Sequence, residues 1–348
     1  MLAAPVSEQN TFAPIETLTK CPGCGSLNFR LWRIGKDLLL HASAQRFPYM
    51  HCKDCDLIFL SERPTPDSMN LFYPENYHPY SAPPDEPADR ARRSFPERLL
   101  TVMDFVPVQK LRAALLQYVE KRYPDQVVPA MQRFYKPPVK WGAVLLDFGC
   151  GSTWFLNRLR DTRWTTIAMD FMESLVEQAR QEGHRGIVVS DSGWAEIEDS
   201  SVDAVRMNHV LEHLYEPEPI LSRLSTKLKA GGRIHIAVPN PRGLSAYVFR
   251  SKWFSLEAPR HLMIYSPARL TSLLKRNGFI DIEVHHERTP KDFSRSLGYF
   301  LRDLRLLQAD LAPKMDNELL LNTWLYPLLY LAGGLGYGDR IHAFARKP

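Results

Sequence analysis

The stretch LLDFGCGSTW, from Leu145 to Trp154, decides the fold, because an apolar run ends at a carboxylate and the chain then passes two glycines. The apolar run predicts a buried strand, and Gly149 and Gly151 allow a sharp turn that a ligand can approach closely. A dinucleotide-binding loop would need a small residue at Trp154. Asp147 would repel a pyrophosphate but attract an ammonium group. The loop therefore suits a nucleoside that carries an amino acid better than it suits NAD.

Outward from this stretch, predicted strands and helices alternate along the chain. The strands are AVLLDFG, WTTIAMD, RGIVVSD, SVDAVRMN and RIHIAVPN, and the helices are STWFLNRLRD, MESLVEQARQEG and PEPILSRLSTKLKAGG. This order predicts right-handed crossovers and an α/β fold: a Rossmann-like, mostly parallel sheet with helices on both faces. Asp170 ends the second strand, about 20 residues after the glycines, where a carboxylate can accept hydrogen bonds from both ribose hydroxyls.

Four of the five cysteines form two Cys-x-x-Cys pairs, which are Cys21 with Cys24 and Cys52 with Cys55. In a reducing compartment such pairs are metal ligands more often than disulfides, and two knuckles complete a tetrahedron around Zn²⁺. Gly25 and Asp56 follow the pairs, where residues that tolerate positive φ help the chain to turn around a metal. A closed four-sulfur site of this kind is structural. The alternative is four unligated, buried or reactive cysteines.

Composition limits the classes of protein that fit. A chain of 348 residues suits a core domain with an appended module, and its 45% hydrophobic content can fill a real core. The formal charge of +5 is compatible with an anionic ligand or surface but is far from that of a dedicated nucleic-acid binder. The N-terminal MLAAPVSEQN lacks the pattern of a secretion signal, so we expect a cytoplasmic protein.

The chain divides into four predicted regions. They are a metal-binding module over residues 1–80, a linker with leading helices over 81–140, a core domain over 141–290, and a helical insertion with a closing strand over 291–348. Residues 63–93 are rich in proline and polar side chains and predict loop and linker. Residues 95–124 predict two helices that Pro107 separates.

Two stretches of the C-terminal region are apolar. Residues 319–338 predict packed or lid-forming helices, because Asn322, Pro327 and several glycines interrupt a run that is otherwise about as long as a membrane span. Shallow contact with a membrane or a lipid-linked substrate is the alternative. Residues 294–311 carry Arg295, Arg302 and Arg305 among apolar side chains, which suits an anionic surface or simply a solvated helix face.

The order of these motifs resembles that of class I S-adenosylmethionine-dependent methyltransferases. The resemblance covers residues 142–290 and rests on LLDFGCG, AMD, VVSD, SVDAVRMNHVLEHL, LKAGGRIHIAVPN and PRHLMIYSPARLTSLLKRNGFIDIEV, with GDRIHAFARKP as the closing strand. The N-terminal CPGCG and CKDCDLIFLSERPTPD are similar to a zinc-ribbon extension on a bacterial subgroup that modifies sugars and other biosynthetic intermediates. Thr153 stands where the family often has a third glycine.

The resemblance implies roles for individual residues. The residues implied at the cofactor are Asp147, Gly149 and Gly151 at the methionine portion with Cys150 contributing backbone, Asp170 at the ribose, Asp191 at the adenine amino group, and Asn208 and His209 beside the sulfonium. Because the sulfonium is already activated, alignment of the nucleophile, the methyl carbon and the sulfur does most of the work. A hydroxyl acceptor also needs a base to take its proton.

Three histidines are candidates for that base. His209 and His213 are four residues apart on one predicted helical face, with Glu212 beside them, and His261 follows the fifth strand, where the family builds its acceptor pocket. Each of these histidines is alternatively a hydrogen-bonded structural residue. A divalent ion at the His/Glu cluster, as in related quinone O-methyltransferases, is a further alternative.

The resemblance thus predicts S-adenosylmethionine-dependent methyl transfer to a small-molecule, sugar, glycan-linked or lipid-linked acceptor, with structural zinc in the N-terminal ribbon. An RNA methyltransferase that docks nucleic acid on the ribbon is the first alternative, although no basic stripe with interleaved aromatics supports it. A cofactor-binding module without turnover is the second, and Thr153 is the residue that favours it. We expect no transmembrane span and leave peripheral membrane contact open.

Overall fold

The computed structural model describes residues 13–73, 106–136, 142–306 and 319–348. Its strands are β1 (Ile15–Thr17), β2 (Phe29–Gly35), β3 (Phe47–Cys52), β4 (Ile58–Leu60), β5 (Glu62–Pro64), β6 (Ala143–Phe148), β7 (Trp164–Asp170), β8 (Arg185–Val188), β9 (Val202–Asn208), β10 (Leu228–Pro239), β11 (Met263–Ile264), β12 (Ile280–His286) and β13 (Arg340–Arg346).

The helices follow and connect these strands. The α-helices are α1 (Val106–Arg122), α2 (Val127–Tyr135), α3 (Trp154–Asn157), α4 (Glu173–Gln181), α5 (Asp191–Ala195), α6 (Pro217–Lys227), α7 (Leu244–Phe249), α8 (Pro267–Arg276), α9 (Lys291–Asp303) and α10 (Leu319–Gly334). Short 3₁₀ helices span Pro66–Phe72, Leu211–His213, Arg250–Lys252 and Phe254–Leu256.

A seven-stranded sheet with the order β12-β13-β10-β9-β6-β7-β8 combines six strands of residues 141–290 with β13 from residues 291–348. Strands β6 to β10 run parallel, and β13 lies antiparallel between β10 and β12. The predicted α/β class and mostly parallel sheet are therefore confirmed, and GDRIHAFARKP supplies the closing strand. The strand order reverses between β6 and β9, which is where ligands bind in sheets of this kind.

Both faces of the sheet are covered. Leu146 and Phe148 of β6 pack into one hydrophobic cluster with α6 and α8, whereas Leu145 packs into a second cluster with α2, α3 and α4. Successive strand side chains point to opposite faces, so a strand buried on both sides must be apolar almost throughout. This requirement explains why the opening stretch is a continuous apolar run.

The described part of the N-terminal module, residues 13–73, is joined to the core domain by a shared sheet. Strands β2, β3 and β4 form an antiparallel sheet whose fourth strand is β11 of the core domain. Met263 pairs with Phe59 and Ile264 with Ile58. The chain therefore returns to the module immediately after His261, one of the three candidate bases.

Two local predictions differ from the structure, and a third falls largely outside the described ranges. Residues Pro66–Phe72 form a 3₁₀ helix with Met69 and Phe72 buried, where loop and linker were predicted, while residues 74–93 of that stretch lie outside the described ranges. Pro107 lies in the first turn of α1, where its missing N–H costs nothing, and residues 95–105, where the first of the two predicted helices falls, lie outside the described ranges. Helix α6 ends at Lys227, because Leu228 already pairs with Val202 in the sheet.

The C-terminal apolar stretch is helical over α10, as predicted for packed helices. Its C-terminal turn packs against residues that follow α1 and β12: a Cβ at Gly334 would lie 2.7 Å from Tyr123, and one at Gly333 would lie 2.7 Å from Arg288. Among the helices within the described ranges, none combines the length and hydrophobicity that a membrane crossing requires.

Two buried aspartates lie beside β13. Arg340 donates hydrogen bonds to both oxygens of Asp292, at 2.9 and 2.7 Å. Asp339 accepts hydrogen bonds from the Ser245 hydroxyl and from the Ser245 backbone N–H, the latter at 2.8 Å. Burial, followed by the charge of Asp292, raises the pKa of Asp339 from 3.8 to about 7.

We expect Asp339→Asn to remove one component of the pH dependence of stability between pH 3.8 and about 7. Because the folded pKa is the higher one, the folded chain holds more protons in this window, so the carboxyl lowers stability as pH rises, by up to about 1.4 kcal/mol per pH unit. His213, whose pKa burial lowers to about 4, gives the opposite slope in both proteins and cancels in their difference. Urea unfolding of both proteins across the window checks this, and parallel stability curves would contradict it.

Candidate functional site

The glycine loop follows β6 at the carboxyl edge of the sheet. Gly149 and Gly151 have φ angles of +69° and +53°, which glycine adopts without strain. The predicted sharp turn is confirmed. A Cβ on Gly149 would lie 2.4 Å from Cγ2 of Val210, so the close approach at this glycine is made by a protein side chain.

Asp170, the last residue of β7, holds this loop. Its Oδ2 accepts a hydrogen bond from the Gly151 N–H at 3.0 Å, and its Oδ1 accepts one from the Met172 N–H at 3.1 Å. Burial raises the pKa of the Asp170 carboxyl, and the backbone N–H donors oppose that rise. The carboxylate thus lies beside the glycine loop at the strand end, the location that the sequence predicts.

Asp147 lies in a buried ion pair that the sequence did not reveal. Both of its carboxylate oxygens are 2.9 Å from Nη1 of Arg206, and its side chain has no exposed surface. Burial tends to lower the pKa of the Arg206 guanidinium, but the Asp147 carboxylate outweighs that effect and raises it. The carboxylate is therefore already paired with a cation, and direct contact with a ligand ammonium, as the sequence suggested, would require this pair to open.

Three further predicted cofactor residues follow the ends of β6, β8 and β9. Cys150 is buried, burial raises the pKa of its thiol, and its backbone N–H donates to the Met169 carbonyl at 3.3 Å. Asp191 begins α5 with its side chain 91% exposed and 2.8 Å from Arg223. Asn208 ends β9. All three lie at or just after the carboxyl ends of parallel strands, although the Cys150 N–H already donates to β7.

The histidine pair beyond β9 is not on an α-helix. His209 adopts φ of +55°, and residues Leu211–His213 form a single 3₁₀ turn. The prediction of one helical face is wrong here because the backbone of His209 still bonds to β10, through its N–H to the Ala237 carbonyl at 2.9 Å. The turn nevertheless brings His209 to Glu212, with Nδ1 and Oε1 3.1 Å apart.

Glu212, His213 and His261 form one cluster, which we call the His–Glu cluster. One donor atom from each lies within 4.8 Å of the others, and Glu212 and His261 are buried. His261 Nδ1 donates to the Ser255 carbonyl at 2.8 Å, which leaves Nε2 with a lone pair in the neutral ring. Nε2 lies 3.9 Å from Oε1 of Glu212 and 3.7 Å from Oε2 of Glu257.

Burial within the His–Glu cluster disfavours His213 as a base. Burial, followed by the charge of His261, lowers the pKa of His213 to about 4, so His213 is a weak proton acceptor near neutral pH. Burial tends to raise the pKa of Glu212, but the hydrogen bond from His209 and the nearby imidazoles lower it. Glu212 is thus an anion beside the imidazoles of His209 and His261, and its Oε2 has no hydrogen-bond partner within the described ranges.

The N-terminal module also reaches this site. The Tyr73 hydroxyl lies 2.8 Å from Nδ1 of His213, and their rings are 6.2 Å apart. Tyr73, Glu257 and Arg206 are site residues that sequence reasoning missed. Arg206 had a signal, because a charged side chain in an otherwise apolar parallel strand needs a buried partner.

Thr153, the residue that departs from the family pattern, is buried and faces α4. Its hydroxyl donates to the Glu182 carboxylate, which also accepts a hydrogen bond from Asn157 at 2.6 Å. The side chain is thus held in a protein hydrogen-bond network at the start of α3.

The four cysteines of the N-terminal module converge. Cys21 and Cys55 have sulfur atoms 3.6 Å apart, as do Cys24 and Cys52, and all four sulfurs lie within 4.8 Å of one another. These separations suit the edges of a tetrahedron around a zinc ion with bonds of about 2.3 Å. Gly25 and Asp56 have φ of +73° and +62°, which confirms the predicted turns after the two pairs.

Comparison with known proteins matches most of the core domain together with part of the leading helices. A family model described as a methyltransferase domain matches residues 115–284. The ubiquinone biosynthesis O-methyltransferase of Xanthomonas oryzae pv. oryzae is 29% identical in an alignment of 154 residues that covers 41% of this chain and 64% of that protein. The chain thus spans less than two thirds of the length of this relative.

Two other proteins are similar. A probable S-adenosylmethionine-dependent methyltransferase of Mycobacterium tuberculosis is 25% identical over 170 residues, covering 47% of this chain and 60% of that protein. The solved structure of a methyltransferase from Archaeoglobus fulgidus aligns with a TM-score of 0.42 and 23% identity, over 66% of this chain and 97% of that one. The matching family model, the sheet order and the glycine loop at the carboxyl edge of the sheet identify residues 115–284 as a class I S-adenosylmethionine-dependent methyltransferase domain, which the four-cysteine module precedes in the chain.

Proposed function

We propose that this protein transfers the methyl group of S-adenosylmethionine to a small-molecule, glycan-linked or lipid-linked acceptor that loses a proton in the reaction. The observation that carries this proposal is the His–Glu cluster, which follows β9 next to the strand ends that hold the glycine loop. A lone pair on Nε2 of His261 beside two carboxylates suits proton removal. The O-methyltransferase named among the relatives supports a hydroxyl acceptor.

The residues at the sheet edge fit S-adenosylmethionine. A carboxylate can accept about four hydrogen bonds, so the two that Asp170 accepts from Gly151 and Met172 leave capacity for a ribose hydroxyl. Asp191 follows the edge strand β8 and Asn208 ends β9, which lies beside β6, and the two residues would border the adenine and the sulfonium. When bound, the cofactor supplies an activated methyl group, while the protein orients the acceptor and removes its proton.

The N-terminal module fits a structural zinc ion. Four thiolates at tetrahedral separations close the coordination sphere, which leaves no open position for chemistry at the metal. We propose that zinc stabilises the module and that Cys21, Cys24, Cys52 and Cys55 are its ligands.

Incubation of the purified protein with methyl-labelled S-adenosylmethionine and cell extract tests the activity. We expect label in a nuclease-resistant small molecule, glycan or lipid, whose mass identifies the acceptor. Nuclease-sensitive label would favour an RNA methyltransferase. Binding of S-adenosylmethionine and its demethylated product by calorimetry, without any labelled product, would favour a binding module without turnover.

We expect Asp170→Ala to weaken S-adenosylmethionine binding by roughly 1.5–3 kcal/mol, because ribose hydroxyls lose a charged acceptor. The Gly151 N–H loses its partner at the same time. Titration calorimetry checks this against Asp199→Ala, whose exposed carboxylate pairs with Lys227 away from the loop. Equal affinity in wild type and Asp170→Ala would remove Asp170 from the cofactor site.

A further inference from the structure

The loop that carries His261 is tied to the N-terminal module by a buried ion pair. Arg260 and Asp37 both have side chains with 0% exposure, and Arg260 Nη2 lies 3.0 Å from Asp37 Oδ1. The same guanidinium donates to the Phe72 carbonyl at 3.3 Å and to Glu257 at 3.1 Å. Arg260, the residue before His261, is therefore bonded to two segments of the module, at Asp37 and at Phe72.

The partners of this arginine are themselves held in place. Asp37 accepts hydrogen bonds from the N–H groups of Leu40 and Ala42, at 3.1 and 2.9 Å, which fix its carboxylate. The Tyr49 hydroxyl, also in the module, lies 2.8 Å from the His261 carbonyl. The backbone at His261 is thus fixed from both sides by side chains of the N-terminal module.

A buried ion pair is weak evidence for stability, because the cost of desolvating two charges offsets their attraction. Its best-supported effect is to specify one arrangement of the groups that it joins. Here the group beside the pair is His261, whose Nδ1–H bond to Ser255 determines which nitrogen keeps a lone pair. The ion pair therefore affects the position of Nε2 of His261, the nitrogen that would accept a proton.

We propose that Asp37 and Arg260 are positioning residues for His261. Their ion pair holds the loop so that Nδ1 of His261 stays bonded to the Ser255 carbonyl and Nε2 stays beside Glu212. The N-terminal module is then a part of the reaction site, in addition to any structural role of its metal. The catalytic meaning of this inference rests on the proposed function, whereas the geometry can be measured without it.

Nuclear magnetic resonance of ¹⁵N-histidine-labelled, zinc-loaded protein tests the geometry, because long-range ¹H–¹⁵N spectra distinguish the two imidazole tautomers. Loss of signals in His261→Gln identifies those of His261. We expect a single Nδ1–H tautomer in the wild type and a tautomer mixture in Asp37→Asn. Glu16→Gln is the control, since it changes a carboxylate that pairs with Arg63 at 2.7 Å within the module.

Asp37→Asn leaves a buried guanidinium with less compensating charge, and such changes are strongly destabilising. If this variant does not fold, Asp37→Asn/Arg260→Met removes both charges, and we expect the same tautomer mixture. A single Nδ1–H tautomer in either folded variant overturns the proposal, as does a mixture in Glu16→Gln. Failure of both variants to fold would assign the pair to stability and overturn it as well.

Methyl transfer gives a second measurement. In the folded variant we expect the labelled-methyl rate to fall by at least about tenfold while the Kd for S-adenosylmethionine changes by less than about twofold, because a misplaced base affects the reaction and not cofactor binding. An unchanged rate alongside a tautomer mixture overturns the positioning role. If the wild type transfers no methyl group, the proposed function fails while the tautomer result still stands.

Discussion

We expect His261→Ala to lose on the order of 10²-fold or more in methyl-transfer rate while it keeps its affinity for S-adenosylmethionine. A base acts on the acceptor's proton and leaves the sulfonium untouched. His261 lies in the segment after β10, where it is hydrogen-bonded to Ser255 and to Tyr49 of the N-terminal module. Neither of these bonds involves the glycine loop. The rate is measured as label in the product that the wild type forms.

Two other histidine variants sharpen this expectation. His209→Ala should impair cofactor binding as well as rate, because His209 directly follows the end of β9 and bonds to Glu212. His285→Gln is the control, since His285 bonds to Gln126 and Glu283 at the edge strand of the sheet. Normal turnover by His261→Ala at every pH would mean either that His213 takes the proton or that the acceptor needs no base.

The sequence predicts the sheet and the edge at which the site forms. Parallel central strands must be apolar on both faces, so LLDFG and AVRMN stand out as strands, and the polar residues that follow them must lie at one edge. Asp170 is found there for that reason. The two cysteine pairs could also be identified from the sequence, because the spacing of the two ligands within each Cys-x-x-Cys turn is local.

The contacts that complete the site are not local. Asp147 and Arg206 are 59 residues apart in the chain, Tyr73 and His213 are 140 apart, and Asp37 and Arg260 are 223 apart. Periodicity and spacing carry no signal for such pairs, because the fold as a whole brings them together. The role of a buried acidic residue such as Asp147 therefore depends on a distant partner, here Arg206, that only the structure reveals.

The turn after β9 illustrates the same limit at short range. A spacing of four between His209 and His213 favours a helix, but tertiary hydrogen bonds decide otherwise. His209 remains bonded to β10, and the Glu212 carbonyl accepts a hydrogen bond from the Leu262 N–H at 2.8 Å. These bonds to two other segments replace the helical ladder, and they connect the His–Glu cluster to the loop of His261.

The second large effect concerns the metal. We expect the purified protein to hold close to one zinc ion and expect Cys21→Ser and Cys52→Ser to lose it. Metal binding and folding are coupled in small zinc modules, where apparent binding free energies reach about 10–16 kcal/mol. In both cysteine variants, the N-terminal module should therefore unfold at a lower temperature than the core domain. Cys150→Ser, which changes the cysteine outside the cluster, should keep the zinc.

Loss of zinc should disturb the loop of His261 but leave the cofactor site intact. Strand β4 of the module pairs with β11, and Asp37 and Tyr49 hold the loop of His261, whereas the glycine loop and Asp170 belong to the core sheet. We thus expect both cysteine variants to bind S-adenosylmethionine but to lose methyl transfer. Zinc analysis, calorimetry and the labelled-methyl assay check this on the same preparations. Stoichiometric zinc in both variants would exclude the four-cysteine site, and full transfer without zinc would separate the module from the reaction.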